Sequence, residues 1–208
     1  RLWDDRSVKR IDVIYICSNS QIARQNLRDL NVLTTEEEPI RTADRLTMLP
    51  TTLANLGKVN VVAFTPGTSF QLGDSAGRVG ERAMLWTLVK DHAVGWAKLL
   101  ARDRALQIFR GRASESRFRN ELDALAEFDP PRAVVTKFGQ KIRANKLGKE
   151  FTFISDGRRA YDDMRGRKLL ADLRRLLAEV CIDQLSPDLV ILDEFQRFSH
   201  LLDGKGED

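Results

Sequence analysis

The sequence predicts an α/β fold, a parallel sheet with helices on both faces that is interrupted by a large helical insertion. Three observations predict it. Ile11 to Cys17 (IDVIYIC), Val59 to Phe64 (VNVVAF) and Leu189 to Leu192 (LVIL) are short, continuous apolar runs rich in β-branched residues, the pattern of strands buried on both faces. Helical patterns separate the runs. From Glu81 to Gln184 apolar residues recur at helical spacing for about a hundred residues, which is too long for a single crossover connection between parallel strands.

Each element has a local reason. Ser18, Asn19 and Ser20 follow the first run and are good helix starters ahead of QIARQNLRDL, so this part reads as strand, turn and helix. Glu36 to Glu38 with Pro39 reads as a loop, and Thr42 to Leu56 as helix, with Pro50 at a break or a new start. The second run ends in Thr65-Pro66-Gly67-Thr68, and Gly73, Gly77 and Gly80 continue the loop. Met84, Leu85, Leu88, Val89, Trp96, Leu99 and Leu100 then mark helix. Phe118, Leu122, Leu125 and Ala126 mark another after Ser114 and Ser116, and Pro130-Pro131 can open a third. Leu169, Leu170, Leu173, Leu176, Leu177, Val180 and Cys181 form the clearest amphipathic stripe, with Lys168, Asp172, Arg174, Arg175 and Glu179 set largely on the solvated side. Pro187 ends that helix. The third run is expected to be a buried strand that delivers Asp193-Glu194. The expected division is residues 1–80 and 185–208 for the sheet domain and 81–184 for the insertion.

The 208 residues, 42% hydrophobic and 31% charged, suffice for one good core and a smaller appended unit. No run approaches the roughly 20 apolar residues of a membrane span, and no signal peptide opens the chain, so a soluble protein in the cytoplasm with no membrane partner is expected. Cys17 and Cys181 fit buried, reduced thiols. His92 and His200 lack the spacing and company of a zinc site. Charge is uneven: residues 1–80 hold 10 basic and 9 acidic side chains, 81–180 hold 22 and 14, and 181–208 hold 2 and 7. The basic excess therefore belongs to the helical block, where a polyanion would be attracted. Within it, Arg158, Arg159, Arg165, Arg167 and Lys168 form a dense basic run, either a phosphate-contacting patch or a solvated surface neutralised by Asp162 and Asp163. Trp86 and Trp96 fall in apolar helical pattern and are expected in the core rather than stacked on bases.

The sharpest chemical signal is LVILDEFQRF, Leu189 to Phe198. Functional residues of open α/β sheets gather at the carboxyl ends of the strands, and here two adjacent carboxylates stand there. Asp193 can hold a hydrated Mg²⁺ beside nucleotide phosphates, and Glu194 can take a proton from an attacking water. The bland alternative is a strand that ends in solvated acids.

Asp193-Glu194-Phe195-Gln196 resembles the DExQ form of motif II in superfamily 2 helicases and translocases. Two further segments agree in order: Ile14 to Asn26 (IYICSNSQIARQN) is similar to motif Ia, and Thr65-Pro66-Gly67 to the TPG of motif Ib. The resemblance implies a RecA-like P-loop NTPase lobe, ATP and Mg²⁺ as cofactors, and a nucleic-acid partner, DNA in preference to RNA. It implies that Ser18, Asn19, Thr65, Gly67 and Thr68 contact the nucleic-acid backbone and that Gln196 couples nucleotide state to a second lobe. Among bacterial members the Swi/Snf-related translocases are nearest, although Gln196 replaces their usual histidine and Thr68 stands where RNA-helicase relatives place an arginine. More than 120 residues separate motif Ib from motif II, far more than in compact helicases. The sequence contains no GxxxxGK[ST]: after the glycine interval Gly67 to Gly73, Asp74 follows where the phosphate-binding lysine must stand. No Ser-Ala-Thr of motif III follows Glu194. With Arg1 at its start and Asp208 about ten residues past the motif II strand, the chain is expected to be a catalytically incompetent fragment of the first lobe. A P-loop segment and a second RecA-like lobe of the same parent chain would complete it. The rival readings are a non-enzymatic module that presents the helical block to nucleic acid or protein, and a different P-loop ATPase.

Overall fold

Valine and isoleucine lose little side-chain freedom in extended backbone and pack well on a pleated surface, and the three apolar runs form strands accordingly. The computed structural model describes residues 9–17, 25–26, 45–54, 57–64, 75–92, 96–102, 104–156 and 162–193. β1 is Ile11–Ile16, β2 is Val59–Phe64 and β3 is Leu189–Leu192. They form one parallel sheet in the order β2-β1-β3. Ile16 is in register with Phe64 on one side and with Leu192 on the other, so the three carboxyl ends align at one edge.

The chain divides into two compact units, residues 1–45, 55–71 and 185–208 in one and residues 46–54 and 72–184 in the other. The sheet belongs to the first. Val13, Tyr15, Cys17, Val61 and Ala63 form its core, with Ile11 and Ile191 packed against them. Ile14 and Val62 are buried as well, so β1 is covered on both faces, as its unbroken apolar run requires. The amino-terminal end of the sheet is pinned by polar contacts. Asp12, itself buried, accepts a hydrogen bond of 2.8 Å from Asn60 Nδ2 and pairs with Arg10 at 2.7 Å. Its N–H donates to Asp188 Oδ2 at 2.8 Å, and the Asp188 N–H donates to the Asp12 carbonyl at 2.8 Å. One expectation fails here: β3 is not a buried strand. Leu189, Val190 and Leu192 are 50%, 47% and 37% exposed; standing at the end of the strand order does not account for this, since β2 stands at the other end with Val61, Val62 and Ala63 buried.

The second unit is helical. A 3₁₀ turn (Leu46–Met48) leads into α1 (Leu49–Leu53), whose first turn holds Pro50. α2 (Val79–Thr87) runs into a π-helical segment, Leu88–His92. Then come α3 (Ala97–Leu100), α4 (Ala105–Arg110), α5 (Glu115–Asp123), α6 (Arg132–Ala144), α7 (Leu147–Ile154) and α8 (Asp163–Leu185). The Ser114 side chain accepts the Arg117 N–H and caps α5. Pro131 sits at the cap of α6, where its missing N–H costs no helical bond. Residues 46–54, placed by sequence with the sheet domain, cluster with this unit: Leu46, Leu49 and Leu53 are buried, and Thr47 donates to Glu81 at 2.6 Å.

Every residue of the α8 stripe from Leu169 to Cys181 is buried. Arg174 is the exception to the pattern read from sequence, since it is 2% exposed rather than solvated. Its Nε and Nη2 donate to Glu81 Oε1 at 3.1 and 2.9 Å, and its Nη1 donates to the Ser75 carbonyl at 2.7 Å. Glu81 Oε2 in turn accepts the Arg78 N–H at 2.7 Å, in the first turn of α2. Gly77, at φ +78°, lies so close that a Cβ there would stand 2.5 Å from Arg174 Nε, which explains glycine at that position. Trp86, Phe109, Phe151 and Trp96 add an aromatic chain with successive centroid separations of 5.3, 6.0 and 4.8 Å.

Candidate functional site

Asp193 is the first residue after β3, and its N–H donates to the Ile16 carbonyl at 2.8 Å. That bond extends the β1–β3 ladder by one step and fixes the backbone from which the carboxylate projects. Tyr15, on the neighbouring strand, donates its hydroxyl to Asp193 Oδ2. Asn26 Nδ2 donates to the same Oδ2 at 2.9 Å and to the Tyr15 hydroxyl at 2.8 Å. Three residues far apart in sequence thus form one closed triangle at the carboxyl edge of the sheet.

The electrostatics follow from this geometry. Tyr15 is 3% exposed. Burial raises its pKa, and the hydrogen bond to Asp193 raises it further, against a smaller opposing effect of the Asn26 amide. The phenol therefore stays protonated and serves as a donor. A carboxylate that accepts two such bonds is held in one orientation. Among the described residues no group of three or more His, Cys, Asp and Glu side chains converges. Asp193 is the carboxylate at this edge that could take part in holding a metal ion.

The other expected site residues fall into two groups. Glu194, Gln196, Ser18, Asn19, Thr65, Gly67, Thr68, Arg158 and Arg159 lie outside the described residues. Arg165, Arg167 and Lys168 lie on α8 and are exposed. Arg165 pairs with Asp162 at 3.5 Å and Glu150 at 3.9 Å and sits over the Phe153 ring, while Arg167 pairs with Asp163 at 3.3 Å. Much of that run's charge is thus matched by neighbouring acids. Cys17 and Cys181 are free and buried, as their apolar settings predict, and burial pushes the Cys181 thiol well above its ordinary pKa.

Tyr15 and Asn26 were missed as site residues by sequence reasoning, although a signal existed for the first. A tyrosine inside an apolar strand needs a partner for its hydroxyl when buried, and its nearest carboxylates in a parallel sheet lie at the strand ends. Nothing local distinguishes Asn26 from any polar residue on a helix. Comparison of the chain with family models, curated proteins and solved structures finds no match.

Proposed function

We propose that this chain is part of the first, RecA-like lobe of a superfamily 2 ATPase motor, with Asp193 as the Mg²⁺-holding carboxylate and Glu194 as the base that activates water. The observation that carries this reading is the alignment of Ile16, Phe64 and Leu192 at one sheet edge. The three segments that resemble motifs Ia, Ib and II continue directly from those strand ends in the chain. Ligand-binding segments of open α/β sheets gather at such an edge. The oriented carboxylate of Asp193 adds to the case. Bound Mg²⁺ supplies charge neutralisation at nucleotide phosphates, and this chain's part is to orient Asp193 through Tyr15 and Asn26. In the parent protein, ATP hydrolysis would drive movement along DNA, with Ser18, Asn19, Thr65, Gly67 and Thr68 toward the backbone and Gln196 as the coupling residue.

One observation favours the rival, non-enzymatic module. Oδ2 of Asp193 already accepts bonds from Tyr15 and Asn26, as it would in a purely structural turn. The magnesium dependence of ATP hydrolysis by the complete parent protein separates the two. Asp193→Asn is expected to lower kcat by at least about a hundredfold, the scale of removing one electrostatic catalytic contact, and to raise the Mg²⁺ concentration needed for half-maximal rate. Hydrolysis equal to that of the native protein would assign Asp193 to the turn alone.

A further inference from the structure

Cations in the helical unit are not all treated alike. Lys141 pairs with Glu179, Arg119 with Glu115, Arg175 with Asp172, Arg112 with Asp163, and Arg165 and Arg167 with the acids named above. Arg143, Lys146 and Lys149 are exposed and make no ion pair among the described residues. All three line one cleft of about 430 Å³ at the junction of α6 and α7.

Two further features converge on it. Lys146 adopts the left-handed conformation at φ 56°, and no side chain caps the start of α7. Within this turn the Lys149 N–H already donates to the Lys146 carbonyl at 3.0 Å, so the Leu147 and Gly148 amides are the ones that can meet an acceptor, and the helix dipole favours an anion there. Trp96 lines the same cleft. It is 5% exposed, fixed by stacking on Phe151 at 4.8 Å, and its indole makes no hydrogen bond among the described residues. Its Nε1 approaches α7 so closely that a Cβ on Gly148 would stand 3.3 Å away. The Trp96 side chain is buried but its Nε1 is not among the sealed, unpartnered polar atoms of the described residues, so this donor is reached from the cleft and can bond an acceptor placed there.

We infer that this cleft is a phosphate site that holds a backbone phosphodiester of a nucleic-acid strand. Arg143, Lys146 and Lys149 surround the anion, and the Trp96 indole with the first amides of α7 donate to its oxygens. Nucleic acid is the occupant chosen because the basic excess of the chain lies in residues 81–180, with 22 basic against 14 acidic side chains, and polyanions are attracted to such a surface. The inference rests on the nucleic-acid part of the proposed function and not on its ATPase part.

The test is fluorescence anisotropy of a labelled single-stranded DNA oligonucleotide titrated with the full chain over a series of salt concentrations, without ATP. The Asp193→Asn/Glu194→Gln form is run in parallel, so that failure of the motor reading leaves this measurement intact. The triple variant Arg143→Gln/Lys146→Asn/Lys149→Gln is expected to bind at least about tenfold more weakly. Its slope of log affinity against log salt should be shallower by about 0.7 for each phosphate that no longer meets a cation. Trp96→Phe keeps the ring and removes the donor, and is expected to weaken binding severalfold with the salt slope unchanged. Arg165→Gln/Arg167→Gln, on cations already paired, should bind as the native chain does, and unchanged far-ultraviolet circular dichroism shows that each variant folds. The inference is overturned if the triple variant or Trp96→Phe binds like the native chain, or if the Arg165/Arg167 variant weakens binding as much as the triple one. Binding to phosphatidylserine vesicles with none to the oligonucleotide also overturns it, in favour of a membrane surface.

Discussion

A buried phenol that donates to a carboxylate is a strong constraint on pH behaviour. The folded-state pKa of Tyr15 is raised by burial and by Asp193, so its contribution to stability is complete below the ordinary phenol pKa of about 10 and declines as pH rises above it. Tyr15→Phe is therefore expected to be less stable than the native chain by about 1.5–3 kcal/mol near pH 7, the range for a hydrogen bond to a charged group. That gap should narrow above about pH 10. Urea unfolding at a series of pH values measures it, and a gap that stays constant across that range would detach Tyr15 from Asp193. At this scale the sequence was informative about position and poor about partners. The place of Asp193 at a strand end was legible because an apolar run ends in it. Asn26 was not, because its role depends on a bond across 167 positions of sequence.

Between elements, the tie that matters most is Arg174 of α8 with Glu81 of α2. Both side chains are buried, at 2% and 1% exposure. Removing one partner of such a pair leaves an uncompensated charge in the interior, which typically costs about 3–5 kcal/mol. Arg174→Met is expected to destabilise the helical unit by that amount in urea unfolding. Arg174→Lys should recover little of it, because a lysine cannot reproduce the two guanidinium bonds to Glu81 and the one to Ser75. A destabilisation below about 1 kcal/mol in Arg174→Met, the scale of an exposed pair, would contradict this account. Helical periodicity made the α8 stripe readable residue by residue, yet it assigned Arg174 to solvent. Periodicity reports the average face of a residue, whereas the fate of a single cation depends on an acid 93 positions away. β3 shows the converse: LVIL reads as buried, but a strand's exposure depends on which other segments pack over its faces, and four residues cannot encode that.

For the molecule as a whole, the three-stranded parallel sheet and the long helical block were both legible, since each rests on local periodicity. The membership of residues 46–54 in the helical unit was not, because it depends on contacts such as that of Thr47 with Glu81, 34 positions along the chain. No helix among the described residues is long and apolar enough to cross a membrane. Charge is placed differently in the two units: an oriented carboxylate stands at the strand ends of one, and cations without ion pairs among the described residues line the α6–α7 cleft of the other. The central proposal is that Glu194, the residue after Asp193 in sequence, would drive nucleic-acid-dependent ATP hydrolysis in the complete parent protein. ATP turnover by that protein, native and Glu194→Gln, with and without single- and double-stranded DNA, tests it directly. The account predicts turnover that DNA stimulates in the native protein and that Glu194→Gln abolishes; turnover that is equal in both proteins, or absent from both, would contradict it.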